Sequence, residues 1–271
     1  MVLGQLLKEA LSRISKSLRI NYGLIDTYLS TKNTIKMKTP IASSISLERL
    51  KSYEILCPSC TESEIIGAYH WNLLMCQALY PFIHSAEVAL RNAINIAIAQ
   101  KFNTKDWFDI VIKDKVSIDI LTNVKKELAR KKQFNHADIV ASLTFGFWTS
   151  LLKKKIYRDQ YNKERLWPDL IPVVFPRYER KGGDDRKNIA QRFEEIKLIR
   201  NRLFHHEPIW KFKDSISPES CIAELRRKFN DIYKAIGWIS KSKQEYLKKF
   251  GFVESFKVQC TGEMLEKFRH I

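Results

Sequence analysis

The run Ile199-Arg200-Asn201-Arg202-Leu203-Phe204-His205-His206-Glu207-Pro208 places a permanent cation, a carboxamide and two imidazoles within seven residues. Arginine carries a charge that does not titrate away and presents a planar fork suited to phosphate oxygens. Histidine has the unperturbed pKa closest to neutral, so it can take and return a proton within one reaction cycle. Together they make a minimal kit for cutting an RNA backbone without a metal. The candidate catalytic residues are therefore Arg200, Asn201, His205 and His206.

Their spacing constrains how they can cooperate. On a helix Asn201 and His205, four apart, share a face, so the carboxamide is placed to hydrogen-bond an imidazole nitrogen. Arg200 and His205 are five apart, about 140° around an ideal helix. Either the helix distorts as it ends before Pro208, or a second copy of the chain completes the site across a two-fold axis. The plain alternative is that both histidines cap a helix C-terminus, where an imidazolium interacts favourably with the dipole.

A second polar group argues against the plain reading. His84, Glu87, Arg91 and Asn95 follow at spacings of 3, 4 and 4 through a segment otherwise rich in alanine, isoleucine, leucine and valine. Such a stripe is usually a solvated face. Glu87 and Arg91, at i and i+4, are here expected to act as a supporting shell that orients the catalytic groups.

The elements that must position these residues are helical. Ile65, Ile66, Tyr69, Leu73, Leu74 and Leu79 keep helical spacing up to Pro81, and Ala86, Leu90, Ala93, Ile94, Ala97 and Ile98 mark a second helix after it. Further helices are expected over 118–133, from about Ala137 through Leu151, and from Asp185 to His206. The clearest runs through Ile222, Leu225, Phe229, Ile232 and Ile236, opened by Ser217 as N-cap and Pro218 in the first turn. Val173-Val174-Phe175 is too short to count as a strand, and the stretch after Gly251 shows no clear pattern. The fold class is all-α, a helical bundle with additional helices. A break near Lys38-Thr39-Pro40 separates an N-terminal helical extension, residues 1–40, from a body spanning 41–271.

Composition supports a folded protein: 45% of the 271 residues are hydrophobic and 11% aromatic. No apolar run approaches the roughly 20 residues of a bilayer span, and the start lacks a signal-peptide core, so a cytoplasmic protein without a membrane role is expected. Five cysteines at uneven spacing fit reduced thiols. Cys57-Pro-Ser-Cys60 has half of a zinc site's spacing, but a second ligand pair is wanting, so neither metal nor cofactor is expected.

The net charge of +17 is concentrated: residues 121–202 carry 20 Lys/Arg against 10 Asp/Glu, while 41–100 carry 3 against 5. That local excess suggests an anionic partner, and nucleic acid fits best. Lys153, Lys154, Lys155 and Arg202 are the candidate RNA contacts.

The residues also carry a family resemblance. The run Arg200-Asn201-Arg202-Leu203-Phe204-His205-His206-Glu207-Pro208-Ile209 is similar to the signature of bacterial Abi-like (abortive infection, AbiD/AbiF-type) proteins, a branch of the HEPN superfamily. Supporting blocks are Ser46-Leu47-Glu48-Arg49-Leu50, Tyr69-His70-Trp71-Asn72, Glu87-Val88-Ala89-Leu90-Arg91-Asn92-Ala93-Ile94, Leu143-Thr144-Phe145-Gly146-Phe147-Trp148 and Leu166-Trp167, which arrive in the family's order over residues 46–210. The resemblance implies an α-helical HEPN domain that dimerises around an Arg-x4–6-His motif, here Arg200 and His205, and acts as a metal-independent endoribonuclease in phage defence. It also implies association with a small noncoding RNA, as in some members of the family. Phe204 stands where the family often has a small residue. The motif spacing accepts His206 as well as His205; His205 is carried forward. The competing expectation is a catalytically inactive module that binds a structured noncoding RNA through the 121–202 region.

Overall fold

The structure is a computed structural model that describes residues 39–130, 133–180, 182 and 184–271. Its contacts divide the chain into two compact units, 1–47 and 48–271. Most of the first unit, and with it the expected helical extension, lies outside the described residues. What is described there is a short helix, α1 (Pro40–Ile45), whose N-cap Thr39 accepts the Ala42 N–H.

Among the described residues there are thirteen α-helices, two 3-10 helices and no strand, so the all-α expectation holds. The second unit is organised around one long helix, α3 (Glu62–Phe102, 41 residues). A capping box opens it: Thr61 Oγ1 accepts the Glu64 N–H, and a Glu64 carboxylate oxygen accepts the Thr61 N–H at 2.8 Å. Asn103, in the left-handed region at φ 50°, closes it.

Pro81 was expected to separate two helices, and it does not. An interior proline removes one backbone hydrogen bond and costs about 3 kcal/mol. Here Ala78, Leu79, Phe82 and Ile83 around it are all buried, and each of the three large side chains taken from water returns about 1.5–3 kcal/mol. Tertiary burial on both sides of the proline outweighs the local break. By length and composition α3 would also pass for a membrane span, although no uncharged run of that kind was expected; half of its most apolar window is buried inside the protein, as in any core helix.

Around α3 pack α7 (Phe145–Lys153), α8 (Ile171–Val174), α9 (Asp185–Phe204), α10 (Pro218–Ile239), α12 (Phe252–Gln259) and α13 (Gly262–Arg269). The last two arise from the stretch that showed no sequence pattern. α13 lies against α3 at Gly67, where a Cβ would stand 2.1 Å from the Phe268 carbonyl oxygen, so only glycine permits the approach. Trp71, Trp107, Trp148, Trp167 and Trp210 fill the core.

Other boundaries moved. The helix expected from Ala137 through Leu151 is two, α6 (His136–Ser142) and α7, because Thr144 restarts the chain by accepting the Phe147 N–H. Residues 173–175 belong to no strand; Val173 and Val174 end the four-residue α8. Ser217 and Pro218 open α10 as expected. Cys57 and Cys60, expected as separate reduced thiols, are joined in a disulfide with Cα atoms 5.5 Å apart.

Candidate active site

α9 is capped by Asp184, whose carboxylate accepts the Lys187 N–H at 3.0 Å. Ile189, Phe193, Ile196 and Ile199 bury its inner face. That anchoring sets Arg200 one turn before the helix end, beside the middle of α3. There Arg200 Nε lies 3.4 Å from Oε2 of Glu87, and its guanidinium carbon lies 4.4 Å from the centre of the Phe204 ring. The pair is partly shielded, with side chains 29% and 19% exposed, so it is screened less than a surface ion pair. The Nε edge and one face of the guanidinium are occupied; its two Nη groups have no hydrogen bond among the described residues. A guanidinium held this way is preorganised and still has its phosphate-binding edge available.

The helix ends in a Schellman motif. His205 is the last residue whose N–H makes the regular bond, to the Asn201 carbonyl at 2.8 Å. The His206 N–H then reaches the Leu203 carbonyl at 3.2 Å, and the Glu207 N–H reaches the Arg202 carbonyl at 2.8 Å. His206 itself is left-handed, at φ 58°. Glycine is the usual occupant of that place, and a residue with a Cβ pays roughly 1–2 kcal/mol there. Arg49 Nη1 donates to the His206 carbonyl. Beyond the turn, the buried Asn72 side chain accepts the Ile209 N–H at 3.0 Å, and Trp210 is buried against Tyr53 with ring centres 5.5 Å apart.

This turn bears on the first of the two routes left open by the spacing, a distortion of the helix end. The helical bond of His205 is intact, so the backbone keeps its bearing through His205 and departs only at His206. Arg200 and His205 of one chain therefore stay on different faces. His205 and His206 are both exposed, and neither ring has a hydrogen-bond partner among the described residues. Asn201 meets His205 through its backbone carbonyl; the expected bond from its carboxamide to the imidazole is not made.

The α3 stripe divides among three tasks. Glu87 holds Arg200. Arg91, expected beside it in the supporting shell, instead donates from Nη1 to the Ala141 carbonyl at 3.0 Å and fixes the end of α6. Asn95 Oδ1 accepts Trp107 Nε1 at 2.9 Å and lies 3.0 Å from His136 Nε2. So only Glu87 of the expected shell reaches the site, because the arginine side chain found a carbonyl that needed a donor. Tyr80 was missed. Its ring centre is 6.2 Å from Phe204 and 6.0 Å from His84, and Tyr80 and Phe204 are each 46% exposed. Its signal was present at spacings of 4 and 3 with His84 and Glu87, but the expected break at Pro81 hid it.

The basic candidates divide as well. Lys154 Nζ bonds an Asp114 carboxylate oxygen and, at 2.9 Å, Ser117 Oγ, while Tyr157 donates to the other Asp114 oxygen at 2.8 Å. Burial alone would raise the Asp114 pKa; the bonds from Lys154, Ser117 and Tyr157 hold it down at about 2. Lys154, expected as an RNA contact, thus ties the end of α7 to the start of α5 (Lys115–Ala129) through an ion pair. Lys153 pairs with Glu194 at 3.3 Å. Arg202 donates to the Lys211 carbonyl and lies 5.3 Å from the Phe212 ring centre, pinning the loop after the turn. Lys155 is exposed, with no ion pair among the described residues.

Comparison with protein-family models, characterised proteins and solved structures gives no match.

Proposed function

We propose that this protein is a metal-independent endoribonuclease whose working site is shared by two copies of the chain, with a role in phage defence through growth arrest. The observation that carries the reading is Arg200, oriented by Glu87 and Phe204 with its Nη edge free, one turn before an exposed His205. The resemblance of the surrounding blocks to Abi-like HEPN proteins supports the same chemistry, and the defence role rests on that resemblance alone.

In this reading His205 removes the proton of a ribose 2′-hydroxyl, and the oxygen attacks the adjacent phosphorus. Arg200 stabilises the extra negative charge on the phosphorane, where a preorganised cation is worth most. The P–O5′ bond breaks, the leaving oxygen takes a proton, and the products are a 2′,3′-cyclic phosphate and a 5′-hydroxyl. DNA lacks the nucleophile and is inert. Since Arg200 and His205 of one chain face apart, His205 from one copy serves Arg200 of the other. The exposed Tyr80 and Phe204 rings beside the site offer apolar surface for that two-fold contact.

The test is cleavage of RNA by purified protein in excess EDTA. Arg200→Ala and His205→Ala are each expected to lower the rate by about 10²–10³. Cleavage that survives both changes, or stops with the chelator, refutes the proposal. Salt-sensitive RNA binding with no cleavage by the unaltered chain would instead favour the inactive binding module.

A further inference from the structure

We propose that Cys57 and Cys60 form a thiol–disulfide exchange site, reduced and re-formed by a small thiol of the glutathione class, with Cys60 as the reacting sulfur. Cys57-Pro-Ser-Cys60 lies immediately before Thr61, the N-cap of α3, so Cys60 sits at the positive end of a 41-residue helix. Cys57 is 1% exposed, whereas Cys60 is partly open. An incoming thiol therefore meets Cys60 first.

The second observation comes from the other end of the fold. Arg269, in the last turn of α13, lies with Nη2 3.7 Å from Cys60 Sγ and 3.5 Å from Glu64 Oε1. Its Nε is buried without a hydrogen-bond partner. Glu64 is already engaged by Thr61 through both its N–H and hydroxyl. Arg269 Nη1 donates to Glu266 Oε1, so the guanidinium is held between two carboxylates, with Nη2 set against the sulfur; a cation fixed beside Cys60 in this way fits a site that can receive a thiolate. Cys57, Cys60 and Glu64 would also pass as three metal ligands by proximity, but Arg269 already brings a fixed positive charge to that position. A divalent cation there would face its repulsion.

The remaining cysteines differ in this respect. Burial pushes the Cys76 thiol up to about 11 and, despite nearby Arg226, the Cys260 thiol up to about 12. Cys221 is buried and shifted the same way. None of them has a thiolate to offer near neutral pH.

A small thiolate attacks Cys60 Sγ, the Cys57–Cys60 bond breaks, and Cys57 Sγ leaves with the electron pair and takes a proton. A second small thiolate attacks the mixed disulfide at the small-molecule sulfur. The oxidised small disulfide departs, and Cys60 leaves as a thiolate facing Arg269. One protein disulfide is reduced by two electrons and two small thiols are oxidised.

The experiment equilibrates the folded full-length chain with reduced and oxidised glutathione at varied ratios, traps thiols with iodoacetamide and counts them by mass spectrometry. The expected result is one two-electron transition confined to Cys57 and Cys60. Cys57→Ser should carry one glutathione on Cys60, while Cys60→Ser should leave Cys57 unmodified. In the reduced protein Arg269→Gln should slow alkylation of Cys60 at neutral pH by about tenfold, the change in thiolate fraction per pKa unit. A pair that stays oxidised in excess thiol until the protein unfolds overturns the proposal. So does glutathione found on Cys57 in place of Cys60, or a reduced pair that retains one equivalent of added zinc. The unaltered chain gives the first and last of these results without any substitution.

Discussion

Glu87 Oε2 lies 3.4 Å from Arg200 Nε across 113 residues of sequence, and this contact ties the middle of α3 to the last turn of α9. Glu87→Gln removes the charge while keeping the shape. Arg200 would still be present but less well oriented, so cleavage should fall by about tenfold, short of the loss expected for Arg200→Ala. The pair is partly exposed, so the cost in stability should stay within about 1 kcal/mol. RNA cleavage rates and thermal melts of the two variants check this. A Glu87→Gln protein as inactive as Arg200→Ala, with an unchanged melt, would make Glu87 a participant in the chemistry.

If each site draws Arg200 from one copy and His205 from the other, two dead proteins can rescue each other. Arg200→Ala and His205→Ala, mixed and allowed to exchange subunits, should form about half mixed dimers, each with one intact site. Activity should return to about a quarter of that of the unaltered protein. Rescue that never appears, in a mixture shown to exchange, removes the shared site.

His206 occupies the left-handed position of the Schellman turn at φ 58°. Glycine there should stabilise the protein by roughly 1 kcal/mol, since the cost of the Cβ disappears. Arg49 should keep its bond, because it contacts the main-chain carbonyl. His206→Gly should therefore melt higher and still cleave RNA. A stabilised but inactive variant would transfer the catalytic role from His205 to His206.

Asp114 is held at about 2 in the folded protein, below the carboxylate's ordinary value near 4. A folded pKa lowered in this way contributes stability above the unfolded value, and that contribution is lost as pH falls from about 4 toward 2. Asp114→Asn should destabilise the protein by about 1–2 kcal/mol at neutral pH and make little difference near pH 2. Denaturant midpoints at the two pH values measure it.

Much of this was legible in the sequence where local chemistry and burial agree. Ser217 and Pro218 open α10 because a hydroxyl cap and a proline in the first turn suit the same place that the apolar face demands. Pro81 was misread because its local preference opposes the burial of Ala78, Leu79, Phe82 and Ile83, and burial is not visible in a single segment. Of the candidate site, the residue types are legible in the sequence, Arg200, His205 and Glu87 among them, and the fold brings Glu87 to Arg200. Arg91 reads as a supporting residue and Lys154 as an RNA contact from charge, yet each serves an acceptor, Ala141's carbonyl and Asp114, that only the fold brings near. Tyr80 was lost with the helix break, and the partner of Cys57 could not be told from spacing alone.

The bare hydrogen at Gly67 lets the Phe268 main chain settle onto the first turns of α3. That contact joins an early segment to one synthesised some two hundred residues later. On the ribosome the Gly67 face of the longest helix must therefore wait while the rest is translated, and it gains its lid only after residues 262–269 emerge.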